Sequence, residues 1–436
     1  MALTVEVLAV FLLLALGSVL VSRKVKVPFT MLLVFVGLAL AAAPISSLAG
    51  LNVFFNNLAS EQLFVGLILP PLLFESVIGV KLADFRAVYR PALLLATVGV
   101  LISTLVVGVV LWKVVGLSVL VAFLFAALIS PTDVATVLEV FRRVNVPTRL
   151  ATLIEMESVF NDSTAIAIFT VVLATSAAVA LQPLEAVAYF SYTLSGGILV
   201  GLGVAWAARR LQPMIDDSVT QVVLTLAAVY GAYAVATSLG TSGLIAVAVT
   251  GLYYGNTVLF NVESKQIAEA TRQFWGIVAF VANAAAFFFI GISTNLFLLA
   301  TTLGAFLVAY AVVVMARITS VYPILSLSRV AGTSVPSSWM NTTMLGGMRG
   351  ALAIALVSDI PFATRGPVAT LTFGVVMLSI LLQGPLLSRY TKRAFGAQQT
   401  LQRFVIPDRI YDMEGAPAPA EALSPDPEGG KTDELR

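Results

Sequence analysis

Glu157-Ser158-Val159-Phe160-Asn161-Asp162 lies in the middle of an otherwise apolar run that includes Leu153, Ile166, Ile168, Phe169, Val171 and Val172. Read as a helix, the stretch stacks Glu157 over Asn161 and Ser158 over Asp162, each pair one turn apart. Four polar side chains then share one stripe, and the rest of the helix is apolar. Two carboxylates, a hydroxyl and an amide in a membrane segment are costly unless they face a bundle interior or a water-filled cavity and bind something there. They form either a structural hydrogen-bond cluster between helices or a cation site of oxygen ligands. The density of polar groups favours the cation site.

Composition sets the surroundings of that helix. Of 436 residues, 59% are hydrophobic and 11% charged, and the mean hydropathy is +0.98. Soluble domains carry about a quarter charged residues. Backbone in lipid must be satisfied within a helix or a closed barrel. The apolar runs are continuous and about twenty residues long, which is helix rather than strand. The fold class expected is an all-α, multi-pass (polytopic) membrane protein of the cell membrane. The net charge of +2 carries no sign of nucleic acid as a partner. With no cysteine and no histidine, thiolate chemistry and the usual near-neutral proton carrier are both absent. Proton handling falls to Asp, Glu, Lys or Tyr. No phosphate-binding loop of the P-loop kind is present, and Gly346-Gly347-Met348-Arg349-Gly350 lacks the spacing of a dinucleotide fingerprint. The chain reads as neither an enzyme nor a holder of a cofactor.

Thirteen transmembrane helices are expected, the first retained because its basic flank (Arg23, Lys24, Lys26) follows it. Basic residues recur after every second span: Lys81, Arg86 and Arg90, then Arg142, Arg143 and Arg149, then Arg209 and Arg210, then Lys265 and Arg272, then Arg329, and last Arg389, Lys392 and Arg393. The positive-inside rule puts the N-terminus outside and the C-terminus in the cytoplasm. The membrane domain is expected over residues 1–395, with a largely disordered cytoplasmic tail over 396–436 that is rich in Pro, Ala, Gly, Glu and Asp.

Two spans carry internal breakers. The fifth contains Ser130-Pro131-Thr132-Asp133, where proline removes a donor and clashes with the preceding turn. The twelfth contains Gly346-Gly347-Met348-Arg349-Gly350. With span seven as a linker, these are the fifth spans of two six-helix halves that run in opposite directions. Discontinuous helices at matching positions mark an inverted-repeat transporter with its site at the midplane.

The ionisable residues well inside the spans are Glu75, Asp133, Glu157, Asp162, Arg317 and Arg349. If the arginines pair with acids, about two carboxylates remain unpaired. Such a group takes up a proton or binds a cation, and two of them can do both in turn. Asp133 and Asp162 are expected to share one dehydrated ion, with the Ser158 hydroxyl and a carbonyl freed near Thr132 as further ligands. Arg317, Arg349 and Glu75 are expected in structural ion pairs. Glu139 and Glu155 line an access funnel or a solvated surface.

At these residues the chain resembles the cation:proton antiporter-1 family, the sodium/proton exchangers of the NhaP and NHE kind. The resemblance covers about residues 5–395 and is carried by Leu69-Pro70-Pro71-Leu72-Leu73-Phe74-Glu75, by Ser130 to Asp133, by Glu157 to Asp162, by Ser242-Gly243-Leu244 with Gly251 to Asn256, and by Gly346 to Ala351. It implies a homodimer in which core helices (about 91–175 and 298–390) move against dimerisation helices (about 4–80 and 218–292), joined by a linker helix (about 186–208). It implies that Asp162 is the ion- and proton-binding acid with Asn161 beside it, that Thr132 and Asp133 sit at a helix crossing, that Ser158 ligates the ion, and that Glu157 pairs with Arg317. Asn161 in place of a second aspartate implies electroneutral exchange of one Na+ (or Li+) for one H+. Two positions depart from the pattern: Ser163 replaces the usual glycine, and Val134 follows Asp133 where proline is common. Both adjoin the site and bear on selectivity, so a K+/H+ antiporter is the alternative, and a passive cation channel is a more distant one.

Overall fold

Every regular element among the described residues is helical. The computed structural model describes residues 2–25, 28–42, 64–142, 144, 146–176, 183–260, 265–292, 301–330, 335–360 and 362–396. In chain order the helices are α1 (Ala2–Val25), α2 (Phe29–Ala42), α3 (Leu69–Ile78), α4 (Leu82–Lys113), α5 (Val119–Ile129), α6 (Ala135–Arg142), α7 (Thr148–Ser176) and α8 (Pro183–Leu211). They continue with α9 (Ser218–Ser238), α10 (Gly243–Tyr254), α11 (Lys265–Ile292), α12 (Leu303–Val330), α13 (Ser337–Leu345), α14 (Ala351–Ala355) and α15 (Phe362–Phe395). Among the described residues, eight helices are long and apolar enough to cross a membrane. Residues 397–436 lie outside the described residues, and so does the expectation of a disordered tail.

Local chemistry explains several boundaries. Pro70 and Pro71 fall in the first turn of α3, where their missing N–H groups cost least. In α4, Pro91 is followed by a π-helical turn over Leu95–Gly99, a local widening of the kind that absorbs a broken hydrogen-bond register. The side chain of Asp217 caps α9 by accepting from the amides of Val219 and Thr220 at 3.0 and 2.9 Å. Exposed leucines along α1 (Leu13, Leu16, Leu20) and Leu199 and Trp206 on α8 fit surfaces whose solvent is lipid.

α7 runs through the middle of the molecule, against α3, α4, α5, α8 and α10. The α2–α11 pair approaches closely because both faces carry glycine. A Cβ on Gly37 would lie 2.5 Å from the Phe288 carbonyl oxygen, and one on Gly291 would lie 2.2 Å from that of Val34. Without lipid-expelled surface to drive association, such close packing is what holds membrane helices together.

Two helical runs stop and resume. Ser130 to Val134 leave helical geometry between α5 and α6, and Gly346 to Gly350 do so between α13 and α14. The interruptions touch: the amide of Asp133 donates to the carbonyl of Met348 at 2.8 Å. Gly350 permits this contact, since a Cβ there would sit 2.5 Å from the Cβ of Asp133.

Candidate cation-binding site

Beside this crossing lies a cavity of about 140 Å³ whose wall includes Thr132, Asp133, Ser158 and Asp162. At roughly 10–15 Å³ per water it has room for several water molecules. Ser158 and Asp162 reach it together because they stand one turn apart on α7. Asp133 reaches it because the break after Pro131 turns the chain out of the α5 axis.

Hydrogen bonds fix the neutral oxygens. The Ser158 hydroxyl donates to the Thr132 carbonyl at 2.6 Å, and the Asn161 side-chain amide donates to the Thr132 hydroxyl at 2.8 Å. Both bonds tie the unwound segment to α7. Asp133 Oδ1 accepts from the Ala135 amide at 3.5 Å, at the start of α6, whereas Asp133 Oδ2 is buried with no protein partner. Among the described residues neither Asp133 nor Asp162 forms an ion pair. The site therefore offers two carboxylates, a hydroxyl and a freed carbonyl, all hard oxygen donors suited to a small cation.

Glu157 and Asn161 are not on the cavity wall. Glu157 points to the other side of α7, where both of its oxygens accept from the Arg317 guanidinium, the Oε2 contact being 3.0 Å. Arg317 Nη2 also donates to the Thr343 carbonyl at 3.0 Å. Such a bidentate buried pair satisfies both charges together. Gly347 makes room for it, since a Cβ there would lie 2.7 Å from Arg317 Nε. Asn161 is turned toward Thr132 and acts on the site through that residue.

Arg349 and Glu75 differ from expectation. Arg349 is 1% exposed, yet among the described residues it meets no carboxylate. Its Nη1 donates to the carbonyls of Ser130 and Pro131, the latter at 2.9 Å, and its amide donates to the Ser379 hydroxyl at 3.0 Å. The reason is the break itself: the last turn of α5 ends in carbonyls without helical partners, and a cation is favoured at a helix C-terminus. Glu75, half-buried on α3, lines the cavity and among the described residues pairs with no base. Both buried arginines are already engaged elsewhere, by Glu157 and by the two carbonyls.

Two cavity residues are weak in sequence. Glu139 lines the mouth, and its carboxylate accepts from the Phe29 amide at 2.8 Å at the start of α2. Asn283 on α11 also faces the cavity, and its only sequence signal is that it is a lone amide in an apolar run.

Comparison with known proteins gives a consistent set. The family described as "Sodium/hydrogen exchanger, transmembrane" matches residues 9–393. The chain is similar to the Na(+)/H(+) antiporter NhaS2 of Synechocystis, 32% identical over 382 residues that cover 87% of this chain and 68% of that protein. It is 34% identical to the Na(+)/H(+) antiporter NhaP of Pseudomonas aeruginosa over 344 residues, 76% of this chain and 80% of that one. Its fold is similar to the solved structure of the sodium proton antiporter MjNhaP1 from Methanocaldococcus jannaschii at pH 8, with a TM-score of 0.72 at 22% identity, covering 90% of this chain and all of the other.

Proposed function

Because the chain belongs to the sodium/hydrogen exchanger family, we propose that its cavity carries one Na+ in exchange for one H+ by alternating access. One observation carries this reading: Asp133 and Asp162 face a single cavity, and among the described residues no basic side chain pairs with either. Two carboxylates in an apolar bundle do not stay empty; they hold a metal ion or protons. Asp162 is the acid that alternates between Na+ and H+. Asp133, the Ser158 hydroxyl and the Thr132 carbonyl complete the ligand set as the ion loses water. Asn161, Glu157, Arg317 and Arg349 hold these ligands in place.

The architecture proposed for this work has thirteen transmembrane helices, in two inverted six-helix halves about α8 as linker. Discontinuous helices five and twelve occupy matching places. The close seams match as well. α2 meets α11 through Gly37 and Gly291, and α10 meets α3 where a Cβ on Gly255 would lie 2.3 Å from the Ile78 carbonyl oxygen. Inverting the halves exchanges these two seams. Residues 91–175 and 298–390 form the moving core, and 4–80 and 218–292 the dimerisation scaffold of a homodimer in the cell membrane. The charge pattern of the loops sets the N-terminus outside and the C-terminus in the cytoplasm. On the cavity wall, Phe29 follows closely on the basic end of α1, and Glu139 bonds to the Phe29 amide at the start of α2, which supports a cavity reached from the cytoplasm.

Reconstituted vesicles with an imposed pH gradient test the proposal. Asp162→Asn is expected to abolish Na+-driven proton movement in protein that still folds. Exchange at the unaltered rate in that variant contradicts it.

A further inference from the structure

Asp162 lines the cavity, and the next residue of α7 belongs to a different seam. Ser163 is buried, and its hydroxyl shares a hydrogen bond of 3.0 Å with the hydroxyl of Ser242, also buried. Ser242 caps α10 by accepting from the Ile245 amide at 3.2 Å, while its own amide donates to the Thr193 carbonyl of α8 at 3.2 Å. Three helices thus converge on one hydroxyl pair. Ser163, Thr164, Thr193 and Ile245 line a narrow crevice there. Thr193 Oγ1 is buried with no protein partner, so a polar group is held in a gap between apolar helices.

Chain order places this crevice relative to the main cavity. The cavity mouth includes Glu139 of α6, which leads into the N-terminal end of α7. The crevice includes Phe190 and Thr193 in the first half of α8, which follows the C-terminal end of α7. The cavity therefore lies toward the N-terminal end of α7 and the crevice toward its C-terminal end, and their linings abut in sequence at Asp162 and Ser163.

We infer that the crevice is the collapsed outer mouth of the transport route and that the Ser163–Ser242 hydroxyl pair is its latch. The inference rests on the exchange reading above, since alternating access requires a second path to Asp162 that is shut while the first is open. Ser163 rides on the helix that carries Asp162, whereas Ser242 belongs to the proposed scaffold and Thr193 to the linker. Sliding α7 along α10 breaks this bond without disturbing the bonds that tie Ser158 and Asn161 to Thr132. One neutral hydrogen bond biases such a seam by roughly fivefold, enough to favour closure and weak enough to open in every cycle. Once parted, the hydroxyls of Ser163, Thr193 and Ser242 line the widened gap with oxygens that a departing cation can use.

The chain contains no cysteine, so Thr164→Cys places a single thiol on the crevice wall. Full-length protein in membrane vesicles is treated with a charged, membrane-impermeant methanethiosulfonate from either face. Labelling is expected from the outer face only. It rises about fivefold when Ser163→Ala or Ser163→Gly removes the hydroxyl. Adding Ser242→Ala to Ser163→Ala gives no further rise if the two act through one bond. Unchanged labelling, labelling from the face of the main cavity, or additive effects overturn the inference, as does failure of both Ser163 variants to fold. Labelling reads the crevice and not turnover. Normal exchange by Asp162→Asn fails the exchange reading alone, and unchanged labelling with exchange lost in that variant fails this inference alone.

Discussion

The two helix interruptions meet but are built from opposite materials. Ser130 to Val134 contain a proline, a carboxylate and main-chain carbonyls released from the helical ladder. Gly346 to Gly350 contain three glycines and an arginine. The first interruption presents ligands to the cavity. The second presents none of its polar side chains there; it reaches across and satisfies what the first has left unpaired, with Arg349 on the carbonyls of Ser130 and Pro131 and the Met348 carbonyl on the Asp133 amide. A discontinuous helix supplies ligands only by giving up hydrogen bonds, and the opposite helix makes up that loss. Chemistry and support are thereby divided between the two.

Substitutions in each interruption can break that division. Asp133→Asn removes a charge from the ligand side and keeps its shape. Na+/H+ exchange in vesicles is expected to fall at least about a hundredfold, the scale of one lost carboxylate ligand or its hydrogen-bonded charge, with thermal stability nearly unchanged. Arg349→Met strikes the support side and leaves two buried carbonyls without donors. Each unsatisfied group costs about 1–3 kcal/mol, so the unfolding midpoint drops sharply, while the surviving folded protein keeps detectable exchange. Equal losses of exchange with no loss of stability in both variants would erase the distinction. Gly350→Ala is the mildest probe. Its Cβ would lie 2.5 Å from that of Asp133, and overpacking of this kind costs about 1–3 kcal/mol. The apparent KM for Na+ is expected to rise several-fold as Asp133 is displaced; an unaltered KM would show that the glycine does not set the position of the acid.

Much of this is legible in the chain itself. Pro131 within an apolar run marks a break, and the four-residue spacing of Ser158 and Asp162 puts both on one face. The pairing of Glu157 with Arg317 came only through the family resemblance. Four features are not legible. Periodicity places Glu157 and Asn161 on the stripe of Ser158 and Asp162, but it does not say that α7 is gripped from both sides, so that Glu157 faces Arg317 while Asp162 faces the cavity. Charge counting assigns Arg349 to an acid, because main-chain carbonyls carry no sequence signature and the vacancy they create becomes visible only when two broken helices are brought together. Charge counting likewise assigns Glu75 a base, and instead it lines the cavity because Arg317 and Arg349 are already occupied. Ser163 stands in the sequence only as a departure next to the site; its bond to Ser242 joins residues far apart in the chain, a contact that neither helix announces by itself.

The central claim is that Na+ and H+ compete for Asp162. Proton release on Na+ binding, measured by calorimetry of the purified protein in buffers of different ionisation enthalpy, tests it without reference to transport. About one proton is expected to leave per Na+ bound at a pH where the site is protonated, with apparent Na+ affinity falling as the pH is lowered. Asp162→Asn is expected to release none. Na+ binding that liberates no proton in the unaltered chain, or liberates the same number in Asp162→Asn, would contradict the account.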